Sequence, residues 1–531
     1  MVKRPASASP GSLLSCFPYA VGHGSEGICL LLRLGPYRIL LDCGLADISL
    51  LQALGMAPAD AVVCSHAHAD HSRGLGALQQ NFPRLPIYTS EVTARLLGED
   101  SYQPLAWRTP QALAENLSLE LIPAGHLPGA ALSLLTYTLP QRTYRILYTG
   151  DFSLSNLQLV EGLSLEKLRG LAPDVLIIES TLGARRHPHR RQQEKQLVQL
   201  IDQALQQGQP VLIPVSPLGL GQEILKLLRS HHQFTGRDID LWAGESLGPV
   251  CDTYQALLPF LPLAVQNFAK HQPLFWDDRV YPRLRPLALA DTTQFANRPT
   301  VIVTEDWRTI LQQNRALPWT VLVSDALTGF QEVTDADFTE LLALAPTVIP
   351  YTLAEHSDGR NTTQLIHNLR PQHIIFVHGS PRDINSLTGL EELQSRYQLH
   401  SPTAGAWLEL PIGERFWQPT PPLPVVYEGE VSEQGTLIHF SFEDSITQDP
   451  RWPGFADTGL IEARWQGEEL ILRGLSQREL LKYRNQEKRL EDLDCCQNCR
   501  FYRQQRCSNR ASPLAGFRVS PEGYCPVFEA L

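Results

Sequence analysis

Short apolar runs separated by polar turns dominate the first 180 residues of the chain. Runs such as ICLLLRL and VLII are apolar at nearly every position, which is typical of strands buried on both faces. Segments with helical spacing lie between some of these runs. Together they predict an α/β fold built on buried sheets. The predicted strands cover residues 28–34, 38–42, 61–64, 145–148 and 175–178.

The pattern changes to helix, strand, helix between residues 190 and 346. Helical spacing at 192–207 and 222–228 flanks the strand-like run VLIPV at 211–215. Past residue 347 the buried-strand style of the first segment returns, for example in HIIFV at 373–377. The simplest interpretation is one domain interrupted by an inserted α/β lobe.

The composition shifts again behind the proline-rich stretch PTPPLP at 419–424, where we expect a stiff linker. Alternating apolar and polar residues behind it predict a small β-rich module, and a charged helix is expected at 477–493. The predicted boundaries are 1–190 and 347–418 for the interrupted domain, 191–346 for the insertion, 425–475 for the β-rich module and 476–531 for the helix with a cysteine-rich tail.

Composition and charge narrow the classes of function. The 531 residues include 56 acidic and 45 basic side chains, which gives a formal net charge of −11. This balance argues against a generally basic nucleic-acid coat, although a local groove in an acidic protein can still hold phosphate. No apolar run approaches the roughly 18 residues that a membrane span needs. We therefore expect a cytoplasmic protein with no membrane partner.

The sequence SHAHADHSRG at 65–74 carries the strongest chemical signal. It places His66, His68, Asp70 and His71 directly after a predicted strand. Alternate residues of an extended chain point the same way, so the first two histidines can meet one metal ion. The following turn can present the other two side chains to a second ion. Imidazole nitrogens and carboxylate oxygens are the ligands of hydrolytic zinc sites, and a solvated histidine-rich turn is the alternative.

Other candidate ligands follow predicted strands elsewhere in the chain. His126 lies in AGHLPGA, Asp151 in YTGDF and His378 in FVHG. A carboxylate can bridge two metal ions, which suits Asp151. Asp42, at the end of RILLD, fits a role in orienting a ligand or a bound water. Each of these residues alone could equally be a helix cap or a surface histidine, so the argument depends on the ordered set.

Five of the ten cysteines lie in the last 37 residues. In a cytoplasmic chain this density indicates a metal site before it indicates disulfides. Four thiolates suit either a structural zinc ion or a [4Fe-4S] cluster, and free thiols are the alternative. The candidate ligands in the tail are Cys496, Cys499, Cys507 and Cys525.

The ordered motifs resemble those of a known family. The series LLDCG, SHAHADH, AGHLPGA and YTGDF is similar to the signature of the metallo-β-lactamase superfamily. Glu179 in IIESTLG, His356 in AEHSDG and His378 in FVHG resemble the three extra motifs of its β-CASP branch of nucleases. The resemblance covers roughly residues 17 to 415. It implies a metallo-β-lactamase αββα sandwich interrupted by an inserted β-CASP lobe.

The resemblance also implies a mechanism. A hydroxide generated between two zinc ions would attack the phosphorus of an RNA phosphodiester, and Glu179 would polarise His356 to protonate the leaving 3′-oxygen. The histidine of the third extra motif resembles the RNA-acting members and so favours RNA over DNA. We expect the RNA to be single-stranded. The implied ligands are His66, His68 and His126 for one zinc, Asp70, His71 and His378 for the other, and Asp151 as the bridge. The implied catalytic roles fall to Asp42, Asp70, Glu179 and His356.

Several positions depart from the family pattern. Leu220 replaces a frequent arginine, Ala354 replaces the usual serine, and SDALTGF at 324–330 replaces a glycine-rich stretch. Basic residues behind Glu179 could supply phosphate contacts instead, although such a run is usually a solvated face. The candidates for this role are Arg185 and Arg186, followed by His187, His189, Arg190 and Arg191.

Two other functions stay open on the sequence. A catalytically weak RNA-binding scaffold in a processing complex would explain the departures, yet such members typically lose metal ligands and none is missing here. A hydrolase of a small ester could share the metal site, but the insertion and the extra motifs argue against it. Whether the chain forms a homodimer is not decided by the sequence.

Overall fold

In this computed structural model the chain divides into two units, Met1–Pro419 and Thr420–Leu531. In the first unit, the structure describes residues 13–412 except 25, 54–55, 288–294, 296–297, 325–339, 342 and 346. In the second unit, it describes 429–434, 437–442, 461–466, 469–474, 499–503 and 506–509.

Six strands near the beginning of the chain form most of the first sheet. The first three pair antiparallel and the next three add in parallel, each after a helical or loop crossover. The strands are β1 (Leu14–Val21), β2 (Ile28–Leu34), β3 (Tyr37–Leu41), β4 (Ala61–Val63), β5 (Ile87–Ser90) and β6 (Gln103–Leu105). The helices are α1 (Ser49–Gln52), α2 (Ala69–Ser72), α3 (Leu75–Asn81) and α4 (Glu91–Leu97).

The following five strands form most of the second sheet. The first four pair antiparallel, and the fifth joins the fourth in parallel. These strands are β7 (Gln111–Ala114), β8 (Leu117–Pro123), β9 (Ala131–Thr138), β10 (Thr143–Tyr148) and β11 (Val175–Glu179). A short 3-10 helix, Leu165–Leu168, precedes the last of them.

A third sheet then interrupts the sandwich. Its six strands all pair in parallel, in the order β14-β13-β15-β12-β16-β17. In chain order the elements are α5 (Arg190–Gln206), β12 (Val211–Pro214), α6 (Leu220–Ser230), β13 (Asp240–Ala243), α7 (Leu247–Ala256), the 3-10 helix Leu258–Phe260, α8 (Leu263–Ala269), β14 (Arg283–Pro286), β15 (Thr300–Thr304), α9 (Trp307–Gln313), β16 (Thr320–Ser324) and β17 (Thr347–Tyr351).

The chain then returns to the first two sheets. β18 pairs in parallel with β11, β19 extends the second sheet, and β20 pairs with β1 in the first. The elements are α10 (Gly359–Leu369), β18 (His373–Val377), α11 (Pro381–Thr388), α12 (Glu391–Gln394), β19 (Gln398–His400) and β20 (Leu408–Glu409). In chain order, the strands of the third sheet therefore lie between two sets of strands that belong to the first two sheets, which is the order that the predicted insertion requires.

One predicted assignment is different in the structure. We expected residues 347–350 to open the return part of the sandwich, but β17 pairs with β16 and belongs to the third sheet. Local hydrophobicity predicts that a strand is buried and does not indicate which sheet it joins. The predicted domain boundaries themselves stay a prediction.

Apolar residues alternate between the two faces of each central strand and so define the layers. In β3, Ile39 and Leu41 pack into the core between the two large sheets, whereas Leu40 packs on the outer side against α3. On the second sheet, Ile178 and Phe376 face outward toward α10 and α11. Helices thus cover both outer faces, because each sheet must bury both of its apolar sides. The predicted α/β class and αββα layering are confirmed.

The second unit contains three antiparallel strand pairs among its described residues. They are β21 (Gly429–Gln434) with β22 (Leu437–Phe442), β23 (Ile461–Gln466) with β24 (Glu469–Gly474), and β25 (Tyr502–Arg503) with β26 (Arg506–Cys507). The charged helix predicted at 477–493 lies outside the described residues. Within the described ranges of the whole chain, no helix is both long and apolar enough to cross a membrane.

Candidate metal centre

Polar side chains gather where strands of the two large sheets end. Asp42 follows β3, the cluster beginning at His66 follows β4, and Asp151 follows β10. Glu179 ends β11 and His378 follows β18. Since the carboxyl ends of parallel strands share one edge, residues far apart in the chain meet there.

Unusual backbone conformations shape these strand ends. Asp42 and His378 have positive φ angles of 55° and 50°, which few residues other than glycine adopt. Gly150 has φ +50°, and a Cβ atom on it would lie 2.5 Å from the Cβ of Ser65. Only glycine therefore allows the turn that carries Asp151 to approach the strand end before His66.

The first group of candidate ligands contains three histidines. His66 Nε2 and His126 Nε2 each lie 3.1 Å from His68 Nδ1. Asp151 Oδ2 completes the group, 3.5 Å from His66 Nε2 and 3.7 Å from His126 Nε2. All four ligand atoms lie within 4.8 Å of one another, so they can share one cation.

A second group adjoins the first. Asp70, His71 and His378 place one ligand atom each within 4.8 Å of the others. His378 Nε2 is 3.0 Å from Asp70 Oδ2, and His71 Nε2 is 3.3 Å from Asp151 Oδ2. The Oδ1 atom of Asp151 lies 3.3 Å from His378 Nδ1. Asp151 therefore contacts both groups, as a bridging carboxylate must.

Asp42 lies behind the second group. Its carboxylate accepts hydrogen bonds from Ser65 N at 2.6 Å, Ser65 Oγ at 2.7 Å, His71 Nδ1 at 2.7 Å and the Tyr148 hydroxyl at 2.6 Å. The side chain is fully buried. It therefore orients His71, whose Nε2 stays available as a ligand, and it does not reach a substrate.

Glu179 and His356 form a pair beside the first group. The Nδ1 atom of His356 donates to Glu179 Oε2 at 2.8 Å, while Glu179 Oε1 accepts from Phe152 N at 2.7 Å. The His356 ring lies 4.6 Å from the ring of His126, centroid to centroid. The pair belongs to neither of the two groups above, but it forms a third group with Asp151, in which one ligand atom of each residue lies within 4.8 Å of the others.

Thr181 connects this pair to the second group. Its hydroxyl donates to Glu179 Oε2 at 2.5 Å and lies 3.0 Å from His378 Nδ1. Because the hydroxyl proton goes to the carboxylate, the oxygen accepts from Nδ1–H of the imidazole. This tautomer leaves His378 Nε2 as the ligand atom.

The protonation of the histidines differs between the groups. Burial holds the pKa of His66 and of His126 well below the usual histidine value, and lowers that of His68. These side chains are therefore neutral, the form that binds metal. Burial also acts on His71, but the charges of Asp151 and Asp42 outweigh it and raise its pKa.

The pKa of His356 is raised to about 10, because the charge and hydrogen bond of Glu179 outweigh the opposing effect of burial. The carboxylates of the cluster have no lysine or arginine partner among the described residues. Histidines are the groups that balance their charge. A cluster with this excess of acceptors suits a cation.

Two buried atoms test whether a metal ion fits. His71 Nε2 and Asp151 Oδ1 each lie 3.3 Å from an oppositely polar atom, Asp151 Oδ2 and His378 Nδ1 respectively, but neither contact has hydrogen-bond geometry. Buried polar atoms normally have a hydrogen-bond partner, since leaving a buried group unsatisfied costs about 1–3 kcal/mol. Both atoms belong to the candidate ligand set, and a divalent cation would satisfy them. The residues present therefore fit divalent metal ions.

The basic residues behind Glu179 divide into two kinds. Arg185 and Arg186 are exposed, and Arg185 binds its own turn through the carbonyls of Thr181 and Leu182. Arg190 is only 4% exposed and pairs with a buried glutamate, so it is not part of a phosphate-binding surface. A contact of Arg185 or Arg186 with substrate stays a prediction.

The tail cysteines are only partly described. Cys499 and Cys507 are both buried, and Cys507 pairs with Tyr502 across a short hairpin. Cys496 and Cys525 lie outside the described residues.

Sequence reasoning missed three supporting residues, namely Ser65, Tyr148 and Thr181. Each adjoins a predicted motif, and a hydroxyl next to a metal ligand is the signal that could have indicated them. Their partners are nonetheless far away in the chain, as the bond between Tyr148 and Asp42 illustrates.

Histidines and carboxylates converging at one edge of an αββα sandwich define a metallohydrolase of the metallo-β-lactamase type. Comparisons with known proteins agree. Residues 37–213 match the family model described as "Beta-lactamase superfamily domain".

Related proteins cover much more of the chain. "Uncharacterized protein sll0514" of Synechocystis sp. is 53% identical, with 99% of each chain covered. "RNase J-like protein" of Methanocaldococcus jannaschii is 26% identical over 64% of this chain and 87% of its own length. "Cleavage and polyadenylation specificity factor 73" of Drosophila melanogaster is 26% identical over 74% of this chain, which spans 63% of that longer protein. The chain belongs to the β-CASP branch of the metallo-β-lactamase superfamily.

Proposed function

We propose that this protein is a zinc-dependent ribonuclease that hydrolyses RNA phosphodiesters. One observation carries the proposal. Asp151 belongs to the first group of candidate metal ligands and contacts His71 and His378 of the second, and the pair formed by Glu179 and His356 lies against them. A scaffold that has lost activity would have no reason to keep all of these side chains in ligand geometry.

The choice of RNA rests on similarity. Two relatives are named "RNase J-like protein" and "Cleavage and polyadenylation specificity factor 73". The histidine of the third extra motif, His378, lies in the second ligand group and resembles RNA-acting members of the branch. We propose single-stranded RNA, rather than duplex RNA, as the substrate.

The ligands divide into two sets joined by the bridge. His66, His68 and His126 would hold one zinc ion, Asp70, His71 and His378 the other, and Asp151 would bridge the two. When bound, such a pair ionises water near neutral pH and neutralises charge on the phosphate. Asp42 accepts a hydrogen bond from His71 Nδ1 and so orients the ring, which leaves Nε2 to bind zinc.

His356 is the candidate proton donor. Glu179 accepts the proton on His356 Nδ1 and orients the ring, so Nε2 is the atom that would give a proton to the leaving 3′-oxygen. The 2.7 Å bond from Phe152 N holds Glu179 in place in turn. The products expected from this direction of cleavage carry 5′-phosphate and 3′-hydroxyl ends.

A combined assay of metal content and cleavage tests the proposal on the full chain. We expect about two zinc ions per core, loss of cleavage when a chelator removes them, and recovery on adding zinc back. Labelled single-stranded RNA should be cut faster than duplex RNA or DNA of the same sequence. Two bound zinc ions without cleavage of any nucleic acid would favour an RNA-binding scaffold. Cleavage of a small ester alone would favour a hydrolase of small esters.

Replacing Thr181 with valine should weaken metal binding in the second group by about 10- to 100-fold, since such supporting hydrogen bonds have this effect. Valine keeps the shape but cannot accept the Nδ1 proton of His378. Thr181→Ser keeps the hydroxyl and should bind metal as the unmodified chain does. Competition with a chelator of known affinity measures the difference, and equal affinities in the two variants would contradict the role given to Thr181.

The tail is proposed to hold a structural zinc ion or a [4Fe-4S] cluster on Cys496, Cys499, Cys507 and Cys525. The burial of Cys499 and Cys507 supports this. The visible absorption of the purified chain distinguishes the two cofactors. We also propose a cytoplasmic location, because Cys16, Cys29, Cys43, Cys64 and Cys251 are all free thiols.

A further inference from the structure

The main chain of Ala354, two residues before His356, is held on both of its polar atoms by helix α5. Ala354 N donates to Gln193 Oε1 at 2.8 Å, and Arg190 Nη1 donates to Ala354 O at 2.8 Å. The family pattern has a serine at this position, so this protein lacks the serine hydroxyl. The position nevertheless has a firm backbone anchor.

The two anchoring side chains are themselves fixed. Gln193 Nε2 donates to Pro188 O and to His187 Nδ1, so the amide oxygen can only face Ala354. Gln193 is 1% exposed. These hydrogen bonds allow the Gln193 amide only one orientation. The fixed amide in turn holds the main chain of Ala354 in place.

Arg190 is fixed by charge. Its Nη2 donates to Glu223 Oε2 at 3.2 Å and its Nε to Glu194 Oε1 at 3.1 Å. Glu223, on α6, also accepts from the backbone N–H groups of Gln158 and Leu159. The side chains of Arg190 and Glu223 are only 5% and 4% exposed, so this is a buried and fully hydrogen-bonded pair.

The anchored segment serves two functional histidines. Glu355 O accepts from Nδ1–H of His126 at 3.1 Å, which fixes the tautomer of this candidate ligand and leaves Nε2 for metal. The next residue, His356, is the candidate proton donor. A displacement of Ala354 would therefore move a ligand and the proton donor together.

We infer that Gln193 and Arg190 are positioning residues that align His126 and His356 through the main chain of Ala354. The inserted lobe thus takes part in catalysis by building the site, besides any role in holding substrate. This inference rests on the proposed function for its kinetic consequence. Its structural part, the bond from His126 to Glu355 O, can be measured separately.

Replacing Gln193 with methionine tests the inference in the full chain. Methionine has the same length but cannot accept from Ala354 N. We expect kcat on RNA to fall about 10- to 100-fold with KM changed less than about twofold, since misplacing reacting groups by an ångström has effects of this size. In the NMR spectrum, the low-field signal of the hydrogen-bonded His126 Nδ1 proton should broaden through exchange with water.

Matched variants distinguish positioning from general damage. Gln193→Glu keeps an oxygen acceptor for Ala354 N but loses the donors to Pro188 O and His187 Nδ1, so it should recover only part of the kcat lost in Gln193→Met. Gln192→Met makes the same change at an exposed neighbour and should behave as the unmodified chain does. Arg190→Lys keeps the charge facing Glu223, but its single nitrogen cannot reach the three partners that Nε, Nη1 and Nη2 of arginine reach separately. It serves as the second test if the methionine variant fails to fold.

The outcomes separate this inference from the proposed function. If the unmodified chain cuts no RNA, the proposed function fails, and the His126 proton signal still decides the positioning role. The inference is overturned if folded Gln193→Met and Arg190→Lys both keep kcat and the proton signal, or if Gln192→Met loses as much as Gln193→Met.

Discussion

Replacing Asp151 with alanine should abolish RNA cleavage, with a loss of about a thousandfold or more. Asp151 Oδ2 lies within 3.7 Å of imidazole nitrogens of His66, His71 and His126, and Oδ1 lies 3.3 Å from His378 Nδ1. Losing a single electrostatic contact in an active site already costs about 10²- to 10³-fold, and this carboxylate serves both ligand groups. Metal analysis of the purified variant should show fewer than two zinc ions.

Controls locate the effect in the metal centre. Asp60→Ala removes a half-exposed carboxylate that pairs with Arg38, and it should change neither metal content nor cleavage. His68→Ala should resemble Asp151→Ala, because His68 Nδ1 contacts both other histidines of the first group. A folded Asp151→Ala protein with two bound metal ions and full activity would refute the bridging role.

The second large effect concerns His356. His356→Ala should lower kcat by about 10²- to 10⁴-fold, the usual contribution of a positioned acid, without removing metal. The histidine is hydrogen-bonded to Glu179 and shares a group with Asp151 and Glu179, but neither of the two groups proposed to hold zinc includes it. Steady-state kinetics on labelled RNA, combined with metal analysis, checks both parts of this expectation.

A modified substrate identifies the step that His356 serves. A 3′-sulfur leaving group departs without a proton, so RNA with a bridging 3′-phosphorothiolate should be cut by His356→Ala nearly as fast as by the unmodified chain. His367→Ala, at a histidine bonded to Tyr397 outside the site, provides the control. Equal losses on both substrates would show that His356 does not protonate the leaving oxygen.

The sequence predicted the candidate metal ligands best where they lie close together in the chain. The cluster at 66–71 has its ligands within six residues, and the strand before it was evident from its apolar run. Buried parallel strands place their ends at one edge, which is why residues as distant as Asp151 and His378 could be placed with them. Burial of strands such as Ile28–Leu34 and His373–Val377 was equally visible.

Contacts made across the fold could not be predicted from the pattern. The partners of Asp42 come from the end of β4, from α2 and from the end of β10, and nothing local distinguishes its carboxylate from a helix cap. The basic run at 185–191 suggested a solvated or phosphate-binding face, yet Arg190 is buried because α5 turns it toward Glu223 and Ala354. The sheet that β17 joins could not be predicted either, because it is decided by the pairing of β17 with β16.

The parallel pairing of β18 with β11 has a consequence for a newly made chain. His378 meets Asp70 across 308 positions of sequence, with the whole third sheet produced in between. A nascent polypeptide on the ribosome therefore cannot complete its second ligand group until most of the protein has been translated. If the chain degrades RNA, this order of assembly protects the message and the ribosome that are making it.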